Sequence, residues 1–129
     1  MSWLSLLLIV KIGVTALLVA VPFLILPKSF LEKSTSIKAN NSGLFRLYGI
    51  AITALLVGYA FGIPLAESGK FPWGVTCMGT VSNAGAAVVL MAFSHGSNQN
   101  RVLSVFFGLI ALGLVAAMIL PHSAIQKAW

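Results

Sequence analysis

Apolar residues fall in four long runs, each bounded by proline or by a polar segment. The runs cover residues 3–26, 44–63, 73–93 and 102–120. A helix needs about 20 apolar residues to cross the hydrocarbon core of a bilayer, and all four runs are close to that length. Pro27 follows the first run, Pro64 the second and Pro121 the fourth, while Pro72 precedes the third. Each withholds a backbone donor where a helix is expected to stop. Lipid offers backbone polar groups no partners, so helices are the natural spanning element, and the runs are too long for barrel strands. Trp3, Trp73 and Trp129 sit at or near the expected ends, where amphipathic rings favour the interface. The predicted architecture is all-α: one domain over residues 1–129, an integral membrane four-helix transmembrane bundle.

Composition agrees with the pattern. Of the 129 residues, 59% are apolar and 8% are charged, against about 25% charged in soluble domains. Mean hydropathy is +1.02. Too few charges exist to cover a water-facing surface, which argues against a soluble enzyme or a disordered tail. Eight basic and two acidic residues give a net charge of +6. The bases are scattered singly without interleaved aromatics, which fits loop charges and not a nucleic-acid partner. No basic stretch precedes the first run, and it exceeds the ~7–15 residues of a signal-peptide core, so it is expected to remain as a membrane helix.

The connecting segments set an orientation. Loop one, 27–43, carries Lys28, Lys33 and Lys38, with Arg46 just beyond; loop three, 94–101, carries His95 and Arg101. Loop two, 64–72, carries Glu67 and Lys70, and the tail carries His122 and Lys127. The basic excess places loops one and three in the cytoplasm and both termini outside. Lys28, Lys33, Lys38 and Arg46 are expected to meet lipid head groups. Ser29 and Glu32 fit a capping box, which opens a short helix whose Phe30, Leu31 and Ile37 would lie on the membrane. The alternative is an ordinary polar linker. Asn40-Asn41-Ser42 matches a glycosylation sequon, but its expected cytoplasmic placement argues against use.

Lys11 is the most unusual residue. It lies inside the first span, about 12 Å below Trp3 at 1.5 Å per residue, and a charge at mid-bilayer costs about 3 kcal/mol on insertion scales. Three readings stay open: snorkelling to the interface, pairing with Glu67 or a partner subunit, and a ligand or proton role. Asn83, central in the third span, is expected to hydrogen-bond a neighbouring helix, with Thr53 as a candidate partner. Gly58 and Gly62 form a G-x-x-x-G. Thr76, Thr80 and Ala84 make a small stripe on the third span, with Gly113 and Ala117 on the fourth and Ala16 and Ala20 on the first. Such stripes let helix backbones approach closely, within the chain or against another protein.

Several kinds of chemistry lack their residues. The chain has no Asp, and neither Glu lies inside a span, whereas ion-coupled transport usually needs intramembrane carboxylates. His95 and His122 are expected on opposite faces, Cys77 is the single cysteine, and Ser94 beside His95 is not a triad. No metal or cofactor is expected, and the chain is not expected to be an enzyme.

The four short spans, with Gly43-Leu44-Phe45-Arg46-Leu47-Tyr48-Gly49 opening the second, resemble small bacterial four-helix proteins of the DoxX-like type. That resemblance implies a bacterial inner-membrane bundle associated with a redox or other membrane complex, and carries over no catalytic residue. Small multidrug transporters require a Glu in the first span, where this chain has Lys11, and quinone-linked vitamin K reductase-like proteins require cysteine pairs. The role favoured by the sequence is a non-catalytic accessory subunit of a larger inner-membrane complex. It would pack through its small-residue faces, with membrane lipids and other subunits, or further copies of itself, as partners. A homo-oligomeric transporter of a lipid or small molecule is the alternative, and a component of a membrane redox enzyme the second alternative.

Overall fold

The computed structural model of the chain describes residues 1–35, 38, 40–92 and 98–127. Among them the structure is helical, and four helices are long and apolar enough to cross a membrane. The long helices are α1 (Trp3–Ile25), α3 (Gly43–Glu67), α4 (Trp73–Ala92) and α5 (Asn98–Ile119). Two short ones, α2 (Lys28–Thr35) and α6 (Pro121–Ile125), follow α1 and α5.

Ser2 caps α1, its Oγ accepting the Ser5 N–H at 3.2 Å. The helix is regular to Thr15, widens to a π-helical turn over Ala16–Ala20, and tightens again. Pro22 explains the widening. Its ring nitrogen cannot donate to the carbonyl one turn back, and Val21 N–H reaches five residues back to Ala16 O. The helix ends at Leu26, which is extended (ψ 150°) ahead of Pro27.

Three expectations about the elements are corrected. The second long helix does not stop at Pro64 but continues to Glu67. Its stop is Gly69 at φ +77°, where Lys70 N–H returns to Leu65 O at 3.0 Å and Gly69 N–H to Ala66 O at 3.1 Å. This is a Schellman closure, which needs a left-handed residue that glycine supplies without strain. Proline only removes one donor; it did not remove the apolar contacts that hold the extra turn, such as buried Ala66. The second correction is the capping box. Ser29 lies inside α2, and the Pro27 carbonyl starts the helix by accepting from Phe30 and Leu31 N–H. Glu32 lies 3.6 Å from Lys28 one turn away. Finally, Leu31 is buried against the protein while Phe30 is exposed, so Phe30 alone of the pair faces outward. Ile37, Ser94, His95 and Trp129 lie outside the described residues.

The long helices associate as two pairs. α1 packs along α3, α4 packs along α5, and the pairs meet each other more sparsely. Their joint core holds Leu4, Leu8, Leu56, Tyr59, Ile110 and Leu114. Gly79 is a close fit on both sides of α4, against α5 of its own pair and against α3 of the other. A Cβ there would stand 2.7 Å from Leu114 Cδ1 and 2.9 Å from Tyr59 Cε1, so no larger residue fits without displacement. At the terminal end, Ser2 pairs with Lys127 in an isolated bridge and α6 tucks Ala124 beneath α1. At the other end Asn100 Nδ2 donates to Thr35 O at 3.3 Å, joining α5 to α2.

Candidate functional site

Contacts between α3 and α4 cluster near the loop that joins them. Gly62 meets Val75, Gly58 meets Met78, and the Tyr59 ring lies on Gly79. Beyond Tyr59 the two helices leave a cleft of about 360 Å³ with an open mouth. Its side walls are apolar: Ile52 and Leu55 from α3, Val81 and Val89 from α4. Its floor is polar and comes from all four long helices: Lys11 and Thr15 of α1, Tyr59 of α3, Ser82 and Asn83 of α4, with Phe107 of α5 among them.

Lys11 is 5% exposed. Its Nζ lies 4.2 Å from the Phe107 ring centroid and 5.9 Å from those of Tyr59 and Phe106. It is therefore neither extended to the outer surface nor paired with Glu67. Ring faces stabilise the charge by about 0.5–2 kcal/mol, but they do not replace oxygen acceptors for three ammonium donors. Glu67 instead accepts from Ser2 N–H at 2.8 Å and Ser2 Oγ at 3.3 Å, tying the end of α3 to the start of α1. The extra turn past Pro64 is what carries it there.

Asn83 is 1% exposed. Its Nδ2 donates to Gly79 O at 2.7 Å and to Tyr59 Oη at 2.8 Å. A backbone carbonyl only accepts, so the amide's orientation is settled by chemistry. Tyr59 Oη also shares a hydrogen bond with Ser82 Oγ at 3.0 Å. The expected partner Thr53 donates to Gly49 O in its own helix. Asn83 Oδ1 is left buried with no partner. So is Thr15 Oγ1, and the contrast with the other threonines is informative. Thr35, Thr53, Thr76 and Thr80 each donate to the carbonyl four residues back, as helical threonines commonly do. An unsatisfied buried polar atom costs about 1–3 kcal/mol. Lys11, Thr15 and Asn83 thus concentrate unspent hydrogen-bonding capacity around one cleft.

The remaining expected contact residues lie elsewhere. Thr76 is buried and Thr80 half-buried, with hydroxyls turned to their own helix. Gly113 faces Leu7 of α1. Of the four expected head-group bases, Lys33 and Lys38 are exposed. Lys28 Nζ donates to Asn40 O at 3.3 Å. Arg46 is half-buried, and its guanidinium donates to Phe23 O at 2.9 Å and Leu26 O at 3.0 Å, closing the end of α1. Carbonyls left over at a helix terminus are natural partners for a guanidinium fork.

A second cavity, about 270 Å³, lies between the π-helical part of α1, α2 and the start of α5. Tyr48 and Phe107 line both cavities. Sequence reasoning missed Tyr59, Phe107 and Thr15. Their only signal is helical spacing: Lys11 and Thr15 are four apart and so share a face. Among the described residues, no group of three His, Cys, Asp or Glu side chains is placed to hold a metal ion. Comparison of the chain with protein-family models, curated proteins and solved structures gives no match.

Proposed function

We propose that the chain is a multi-pass membrane protein that binds a lipid-soluble small molecule between its two helix pairs and carries it within the bilayer. The observation that carries this reading is the cleft floor. Lys11, Thr15 and Asn83 all line one open cavity, and the last two each carry a buried polar atom without a partner. A purely structural bundle gains nothing from that arrangement, because each orphan group weakens the fold. A ligand that satisfies them recovers the loss on binding.

Two features support carriage as well as binding. The helix pairs meet sparsely, which permits them to rock about the cleft between them. The π-helical turn at Ala16–Ala20, ahead of Pro22, gives α1 a point of bending beside the second cavity. In the bilayer the cleft runs from mid-depth toward the side of loop one, the side that the Lys and Arg balance favours as cytoplasmic. The accessory-subunit reading has weaker support, since exposed apolar faces are solvated by lipid as readily as by a partner.

Native mass spectrometry of the protein extracted in mild detergent tests the proposal. The expected spectrum contains the chain with a bound small molecule, and Gly85→Leu removes it. Gly85 lines the cleft, and a Cβ there meets nothing within 4 Å, so a leucine is accommodated at the cleft without straining the fold and obstructs its occupant. A chain that arrives bare, or bound only to another protein in fixed ratio, overturns the proposal.

A further inference from the structure

We infer that the ligand of this cleft is a single-chain amphiphile with one negative charge and a hydrogen-bond donor beside it, the anion on Lys11 and the donor on Asn83 Oδ1. The inference rests on the reading of the cleft as a binding site. Charge comes first. Among the described residues, Lys11 is the one Lys, Arg, Asp or Glu lining the cleft. Both acids of the chain are engaged elsewhere, Glu32 beside Lys28 and Glu67 on Ser2. A single cation away from water calls for a single anion. A neutral ligand leaves the ammonium unpaired, and a dianionic phosphate monoester leaves a surplus charge.

Hydrogen-bond polarity supplies the second constraint. Asn83 has committed its Nδ2 to Tyr59 and Gly79, so only its acceptor oxygen remains for a ligand. Thr15 Oγ1 donates or accepts as required. A carboxylate alone satisfies Lys11 and Thr15 but offers Asn83 nothing; an N–H or O–H next to it completes the set. The third constraint is the wall. The cleft is open and lined by apolar side chains such as Leu55 and Val81, which suits a hydrocarbon chain emerging into lipid.

The test uses three probes of the same chain length: oleate (anion), N-oleoylglycine (anion with an adjacent N–H) and methyl oleate (neutral). Each is titrated against the detergent-purified protein, and binding is read by native mass spectrometry. Oleate is expected to bind roughly tenfold more tightly than methyl oleate, with N-oleoylglycine a further few-fold tighter. Lys11→Met abolishes the preference of acid over ester. Asn83→Leu abolishes the advantage of N-oleoylglycine over oleate, while the preference of acid over ester persists. Equal binding of acid and ester to the native chain, a preference that survives Lys11→Met, or no binding of either acid overturns the inference. If it fails while Gly85→Leu still displaces a co-purified molecule, the cleft stands as a binding site and only the ligand class falls. If Gly85→Leu changes nothing, both fall.

Discussion

Replacing Lys11 by Met separates a binding group from a structural one, because the two roles predict opposite signs. Met is apolar and close in length, so the cavity floor keeps its shape while the charge is lost. Holding an ammonium at this depth costs about 3 kcal/mol on insertion scales. The Phe107 ring at 4.2 Å and the two rings at 5.9 Å return about 1–2 kcal/mol between them. The empty Lys11→Met protein is therefore expected to be more stable than the native one by about 1–2 kcal/mol. Unfolding of the delipidated protein by SDS titration in mixed micelles measures it. Added N-oleoylglycine should then stabilise the native chain more than the variant, since a ligand shifts the midpoint in proportion to its affinity for the folded state. A variant less stable than the native chain when both are empty would refute the reasoning. It would mean that the aromatic cage already satisfies the ammonium and that Lys11 is there to hold the helices.

Three further outcomes follow from the geometry. Gly79→Ala is expected to destabilise by about 1–3 kcal/mol through overpacking against Leu114 and Tyr59; Gly85→Ala, facing open space, should stay within about 0.5 kcal/mol of the native chain. Similar midpoints for the two in the same SDS titration would contradict the packing around Gly79. Arg46→Met leaves the Phe23 and Leu26 carbonyls without their donor and should cost about 1–3 kcal/mol, with Arg46→Lys recovering part; a head-group role would instead leave detergent stability untouched and change only lipid dependence. For orientation, Lys38→Cys in a Cys77→Ala background should resist an impermeant thiol reagent in intact cells. Labelling there would place loop one outside.

How much of this was legible in the sequence differs from residue to residue. The long helices were, because four apolar runs with few polar interruptions satisfy their backbones only by helix formation. Lys11 was also legible as an anomaly, since any charge inside such a run stands out. Its surroundings were not: Tyr59 and Phe107 come from runs about 50 and 95 residues away, and nothing local marks them. The stop expected at Pro64 rests on a missing donor, which is a local fact, whereas the helix continues because Ala66 is buried in the core and Glu67 bonds Ser2. Asn83 was read correctly as a residue needing a neighbour, but its neighbour is Tyr59 and not Thr53.

The sequence by itself determined that this chain forms helices of membrane-spanning length, because hydropathy and backbone satisfaction act within each segment. Only the tertiary structure decided that the helices join as two pairs with a polar-floored cleft between them. Helix rotation and pair contacts depend on close fits such as Gly79 against Leu114, and a run of apolar letters does not encode which face meets which.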